Sequence, residues 1–218
     1  MDSSFVSQGQ RGNALASRNP VMGWNWKGEH SVQGLVDSPG SLLASFASVK
    51  AIGRLIILSG PSGSGKTHWC LGLADHAVGL GILASGLISP AVFEGDRKVG
   101  IDLRDLRSGA RRHLAVRREA PEQGQPTAEW LFDDETLVWG NGILAELGDC
   151  HLFILDELGP LELEHGAGLT NGLSVVASRR YRLACVVIRP ALLDLARSLW
   201  PWGEVLHIKA SHPVEVPE

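Results

Sequence analysis

At 218 residues, net charge −4 and a pI near 6.1, the chain can bury one sizeable core and carries no global basic field that calls for nucleic acid or an anionic membrane. Its 44% hydrophobic and 20% charged content is that of an ordinary globular protein. The three cysteines (Cys70, Cys150, Cys185) stand far apart in apolar surroundings, the eight histidines show no ligand spacing, and no run of eighteen apolar residues occurs; a disulfide framework, a zinc site and a membrane span are excluded on those grounds.

The chain opens on Met1-Asp2-Ser3-Ser4, acidic where a secretory signal would be basic, so a cytoplasmic location is expected. Residues 1 to about 30 are rich in Ser, Gly, Asn and Gln without sustained periodicity and read as a flexible tail, with Trp24 and Trp26 as the exception. Over residues 38–50, Ser38 as N-cap, Pro39 at the first helical position and Leu42, Phe46 and Val49 on one face predict a short amphipathic helix lying on the domain. Residues 1–50 are accordingly taken as an N-terminal extension and 51–218 as the main domain.

Arg54–Ser59 is an apolar strand that runs into Gly60-Pro61-Ser62-Gly63-Ser64-Gly65-Lys66-Thr67, which fits G-x-x-x-x-G-K-[ST]. Glycines let backbone N–H groups turn inward around an anion, and the following helix adds unpaired donors and a positive dipole end. Lys66 can reach the β- and γ-phosphates of a nucleotide, and the Thr67 hydroxyl can hold Mg²⁺. A helix is expected over residues 66–79, with Gly79 and Gly81 as its stop, then a strand over Ile82–Ser89.

From Ala91 the apolar period changes to two, with turn signals at Glu94-Gly95-Asp96 and Ser108-Gly109, and an antiparallel meander inserted between parallel elements is predicted. It carries eight basic residues against five acids, and a solvated hairpin face is preferred over a phosphate or RNA contact surface. Pro121–Pro126 is a loop, and Asp133 or Asp134 caps a helix reaching about Leu147. Cys150–Glu157 is an unbroken apolar run ending in two acids, read as a buried parallel strand that delivers carboxylates at its C-terminal edge. A loop (Leu158–Gly168), a helix (Leu169–Arg179), a strand (Ala184–Ile188), a helix opened by Pro190 and ending at Leu199, and a strand (Val205–Ile208) complete an α/β doubly wound sheet.

Ligands of open α/β sheets bind beyond the carboxyl ends of the strands, which puts Gly60–Thr67, Asp156, Glu157 and Arg189 on one edge. Asp156 is placed to hold Mg²⁺ opposite Thr67, Glu157 to orient or deprotonate a water, and Arg189 to stabilise charge on the phosphoryl oxygens. Asp156–Gly159 also fits the D-x-x-G of GTPases, but no N-K-x-D base-reading motif occurs, so base selectivity is not expected.

Gly60–Thr67, Gly86–Ser89, Gly95–Ile101 and above all Asp156-Glu157-Leu158-Gly159-Pro160-Leu161-Glu162-Leu163 resemble, in order, the small P-loop nucleoside-triphosphatases first described from thermophiles, the cancer-related nucleoside-triphosphatase type of animals. The resemblance covers roughly residues 53 to 209. It implies a Rossmann-like, mostly parallel sheet, Mg²⁺-dependent hydrolysis of nucleoside triphosphates and little base selectivity, with Gly60–Thr67 on the phosphates, Asp156 on the metal and Glu157 on the water. The strand end at Arg189 departs from the family's more usual His, and no role for Glu162 follows from it.

Three readings stand at this stage: an NTP hydrolase, a nucleotide or small-molecule kinase with the basic meander clamping an acceptor, and a nucleotide-gated module acting on RNA or a protein. The hydrolase leads. The acidic balance argues against RNA, a protein partner stays open, and a monomer is expected.

Overall fold

The computed structural model describes residues 38–47, 53–119 and 129–209. The expected tail, with Trp24 and Trp26, the position of Val49 and the loop Pro121–Pro126 lie outside the described residues. Helix α1 (Pro39–Ala47) begins as predicted, with the Ser38 hydroxyl accepting from Ser41 N–H at 3.1 Å. It lies against α2 (Lys66–Gly79), and Leu42 and Leu43 are fully buried in the same core as Trp69, Cys70 and Leu73 of that helix. The last part of the sequence-assigned extension is therefore built into the main core.

Strand β1 (Arg54–Ser59) lies between two parallel neighbours, β8 (Tyr181–Ile188) and β9 (Glu204–His207). Its apolar residues are continuous because both faces are covered. Ile56 and Leu58 join the cluster under α1 and α2, while Leu55 and Ile57 join the opposite cluster, which takes in Leu193, Ala196 and Trp200. The other parallel strands are β2 (Ala84–Ile88) and β7 (Cys150–Leu158), giving the order β2-β7-β8-β1-β9. On the second face lie α3 (Asp134–Ala145, capped by Asp133 through Thr136 N–H at 2.7 Å), α5 (Asn171–Ser178) and α6 (Leu193–Leu199), the last preceded by a 3₁₀ turn at Pro190–Leu192.

The meander consists of β3 (Ala91–Glu94), β4 (Arg97–Asp105), β5 (Arg111–Arg117) and β6 (Trp130–Phe132), all antiparallel. It does not stand apart from the parallel strands. Leu87 and Ile88 of β2 pair with Asp105 and Arg104 of β4, so the meander prolongs the same nine-stranded sheet. Three of its basic residues are matched within the fold. Buried Asp102 accepts from Arg111 and from His113 Nδ1, Arg112 stacks 4.9 Å from the Trp139 ring centre, and Arg117 pairs with Glu129.

Gly86 marks the tightest join in the sheet. Its φ is +113°, and a Cβ there would stand 2.0 Å from the Ile154 carbonyl oxygen of β7. Gly86→Ala is expected to cost at least about 2 kcal/mol, from backbone strain and from displacement of the β2–β7 ladder. A lower urea midpoint with an unchanged m-value checks it.

Candidate active site

The phosphate loop leaves β1 at Gly60, over the Ile208 carbonyl, and enters α2 at Gly65. Gly63 and Gly65 have φ of +75° and +88°, left-handed conformations that reverse the backbone without a Cβ penalty. Pro61, Ser62, Gly63 and Gly65 are exposed, whereas Gly60, Ser64 and Lys66 are buried. The Lys66 ammonium is folded into the loop and donates to the Gly60 and Pro61 carbonyls at 2.9 and 2.7 Å. Burial lowers its pKa, and Glu157 and Asp156 oppose that shift. Thr67 points toward β7, and His68 is exposed.

Strand β8 separates β1 from β7, so the loop and the Asp156-Glu157 pair are two strand spacings apart, about 10 Å. Arg189, directly after β8, stands between them. In a regular strand Asp156 and Glu157 would point to opposite faces. The β7–β8 register is broken between Leu155 and Leu158, and both carboxylates line one cavity together with Thr67, Ser89, Lys98 and Arg189. Consecutive acids thus serve one site because the strand is irregular where they occur.

Asp156 is 2% exposed, and burial pushes its carboxyl up to about 7. The Thr67 hydroxyl and the Ser89 backbone N–H donate to it and oppose that rise, while the neighbouring Glu157 charge adds to it. Asp156 Oδ2 has no protein partner. A buried, orphaned carboxylate oxygen beside a threonine hydroxyl fits a hard cation such as Mg²⁺, which needs only one or two protein oxygens besides phosphate and water. Glu157 is three-quarters buried and paired with Arg189, whose Nε donates to Glu157 Oε1. The sequence placed Arg189 toward phosphate; in the structure its partner is Glu157.

Glu162 shows what sequence reasoning missed. The expected loop Leu158–Gly168 contains a helical turn, α4 (Pro160–Leu163), and the buried Glu162 carboxylate accepts from Gly159 N–H and Leu169 N–H, both at 2.8 Å. It ties the two ends of the segment that follows Glu157 together. Burial raises its pKa, and the two backbone donors counter the shift. Glu162→Ala is expected to lose about 2–4 kcal/mol, because two buried N–H groups lose their acceptor. Urea unfolding of this variant beside Glu162→Gln, which keeps one carbonyl acceptor, checks the assignment. Lys98 and Trp130 were also unforeseen at the site. The only sequence signal was that Lys98 is one of five lysines and lies in a motif-bearing segment.

The chain is similar to known nucleoside-triphosphatases. Nucleoside-triphosphatase THEP1 of Caldivirga maquilingensis is 31% identical over 126 residues, 58% of this chain and 70% of that protein. The THEP1 nucleoside-triphosphatase of Thermofilum pendens is 28% identical over 151 residues, 68% and 82% of the two chains. A solved human cancer-related nucleoside triphosphatase shares the fold, with a TM-score of 0.51 at 21% identity over 74% of this chain and 90% of that one. A family model described as NTPase matches residues 55–208, which include the phosphate loop, the Asp156-Glu157 pair and Arg189, and the chain belongs to that NTPase family.

Proposed function

We propose that this NTPase hydrolyses nucleoside triphosphates to the diphosphate and phosphate, with Mg²⁺ dependence and little base selectivity. The observation that carries the reading is the convergence of Lys66, the orphaned Asp156 oxygen and the Arg189-held Glu157 on one sheet edge. The triphosphate sits in Gly60–Thr67, where inward backbone N–H groups and Lys66 take up its charge. Thr67 and Asp156 would hold Mg²⁺, which would neutralise charge on the phosphate oxygens when bound. Glu157 aligns a water and takes its proton as the water oxygen bonds to the γ-phosphorus and the bond to the bridging oxygen breaks. Arg189 holds the Glu157 carboxylate in place through its Nε.

Low base selectivity is supported by the absence of N-K-x-D from the sequence. The free cysteines fit a cytoplasmic site of action, and among the described residues no helix is long and apolar enough to cross a membrane. Phosphate release from ATP, GTP, CTP and UTP, with Mg²⁺ and with EDTA, tests the reading. All four should turn over at comparable rates with Mg²⁺ and none with EDTA; turnover of a single nucleotide, or turnover in EDTA, would contradict it.

A further inference from the structure

Three side-chain cations stand at the NTPase site, and two of them are already engaged. Lys66 donates to the Gly60 and Pro61 carbonyls, and Arg189 donates to Glu157. The third is Lys98, which lines the same cavity as Thr67, Asp156, Glu157 and Arg189. Among the described residues its ammonium makes no hydrogen bond and no ion pair; Nζ rests on the face of the Trp130 ring, 4.7 Å from its centre. An ammonium carries three donors, and half-burying it without an acceptor is unfavourable. Burial accordingly lowers its pKa, against the charges of Glu157 and Asp156. Glu157, the acid that acts on it most strongly, is bonded to Arg189 instead.

The fold decides from which side this cation arrives. Lys98 lies at the start of β4, paired across the β3–β4 hairpin with Phe93. In the strand order β4-β2-β7-β8-β1, the meander and the phosphate loop fall on opposite sides of β7, which carries Asp156 and Glu157. Lys66 and Lys98 therefore approach those carboxylates from opposite sides. A triphosphate seated in the loop with its γ end toward Glu157 has Lys66 beside it and Lys98 ahead of it. The transferring phosphoryl group spreads its charge over three equatorial oxygens, and a cation ahead of it can compensate what the loop does not reach.

We propose that Lys98 is a further catalytic residue of this NTPase, leaving the Trp130 ring to donate to the γ-phosphoryl oxygens of the bound nucleoside triphosphate from the side opposite Lys66. The inference rests on the reading of Gly60–Thr67 as the nucleotide seat and of Glu157 as the group that directs water. The water oxygen bonds to the γ-phosphorus, and the bond to the β–γ bridging oxygen breaks with its electron pair, which leaves with the diphosphate. The water proton passes to Glu157, and Lys98 keeps its own proton throughout. The Trp130 face holds the ammonium at rest without directional bonds, so those three donors stay available for phosphate. Such a cation acts on a triphosphate and not on a diphosphate. A lysine that only holds β6 in place makes no such distinction.

Single-turnover phosphate release from Mg²⁺-ATP and equilibrium binding of ADP are compared for the parent chain, for Lys98→Met, which keeps the stem over Trp130, and for Lys98→Arg. Lys98→Met should slow phosphate release about 10²–10³-fold while ADP affinity stays within about twofold, and Lys98→Arg should recover at least about tenfold of the lost rate. Release by Lys98→Met within about threefold of the parent rate overturns the inference and leaves hydrolysis standing. A loss of ADP affinity as large as the loss of rate overturns it too and makes Lys98 a structural support. Absence of phosphate release by the parent chain overturns the hydrolysis reading itself. Nuclear magnetic resonance of the lysine ε-CH₂ groups in the parent chain gives a second readout. The Trp130 ring current should hold the Lys98 signal upfield of the other lysines in the free protein and with Mg²⁺-ADP. A non-hydrolysable ATP analogue with Mg²⁺ should move it to the ordinary lysine position. A signal that the bound analogue leaves in place overturns the inference, even where Lys98→Met does not fold.

Discussion

Glu157→Gln is expected to lower kcat by about 10²–10⁴-fold while nucleotide affinity stays within a few-fold of the parent protein. Glutamine keeps the length of the side chain and one hydrogen-bonding oxygen, but it cannot accept a proton from water at neutral pH. It also removes the charge to which Arg189 is paired, freeing the guanidinium for the phosphate oxygens. Binding is then held or slightly tightened while turnover falls. Equilibrium titration with a fluorescent nucleotide, beside single-turnover phosphate release, separates the two effects. Equal losses in affinity and turnover would make Glu157 a binding group instead.

Asp156→Asn should remove Mg²⁺-supported turnover and, with it, a pH dependence of stability. Burial raises the Asp156 carboxyl from the usual 3.8 to about 7. Between those values the folded protein holds a proton that the unfolded chain has released, so without metal stability falls as pH rises from about 4 to 7 and levels off above. Three pH units correspond to on the order of 4 kcal/mol from this group. Glu162, raised in the same direction, contributes with the same sign. In EDTA the denaturation midpoint should therefore be higher at pH 5 than at pH 8. Mg²⁺ should restore it at pH 8, where it binds the ionised carboxylate without displacing a proton. Asp156→Asn should flatten most of the slope and abolish the Mg²⁺ response.

Local chemistry made much of this site legible in advance. The phosphate loop needs its residue types in fixed order, and β1, α2 and the buried β7 announce themselves by apolar continuity and helical spacing. Ser38 and Asp133 are caps that occur where their side chains predict. Contacts between segments distant in the chain were not legible. The pairing of β2 with β4, which joins the meander to the sheet, depends on tertiary packing and not on the period of either strand. The broken register that turns Asp156 and Glu157 into one cavity leaves no mark in an apolar run. Arg189 meets Glu157 across 32 residues, and Glu162 reaches two N–H groups through a four-residue helix too short to show periodicity. Its motif flagged the segment but not the mechanics.

The central claim is that Glu157 directs a water to the γ-phosphorus of a nucleotide seated in Gly60–Thr67. Turnover of ATP with Mg²⁺ in ¹⁸O-water, followed by mass spectrometry of both products, tests it most directly. The expected result is one ¹⁸O in each released phosphate, none in the diphosphate, and near-complete loss of labelled phosphate in Glu157→Gln. Label in the diphosphate, or labelled phosphate formed at the parent rate by Glu157→Gln, would contradict the account.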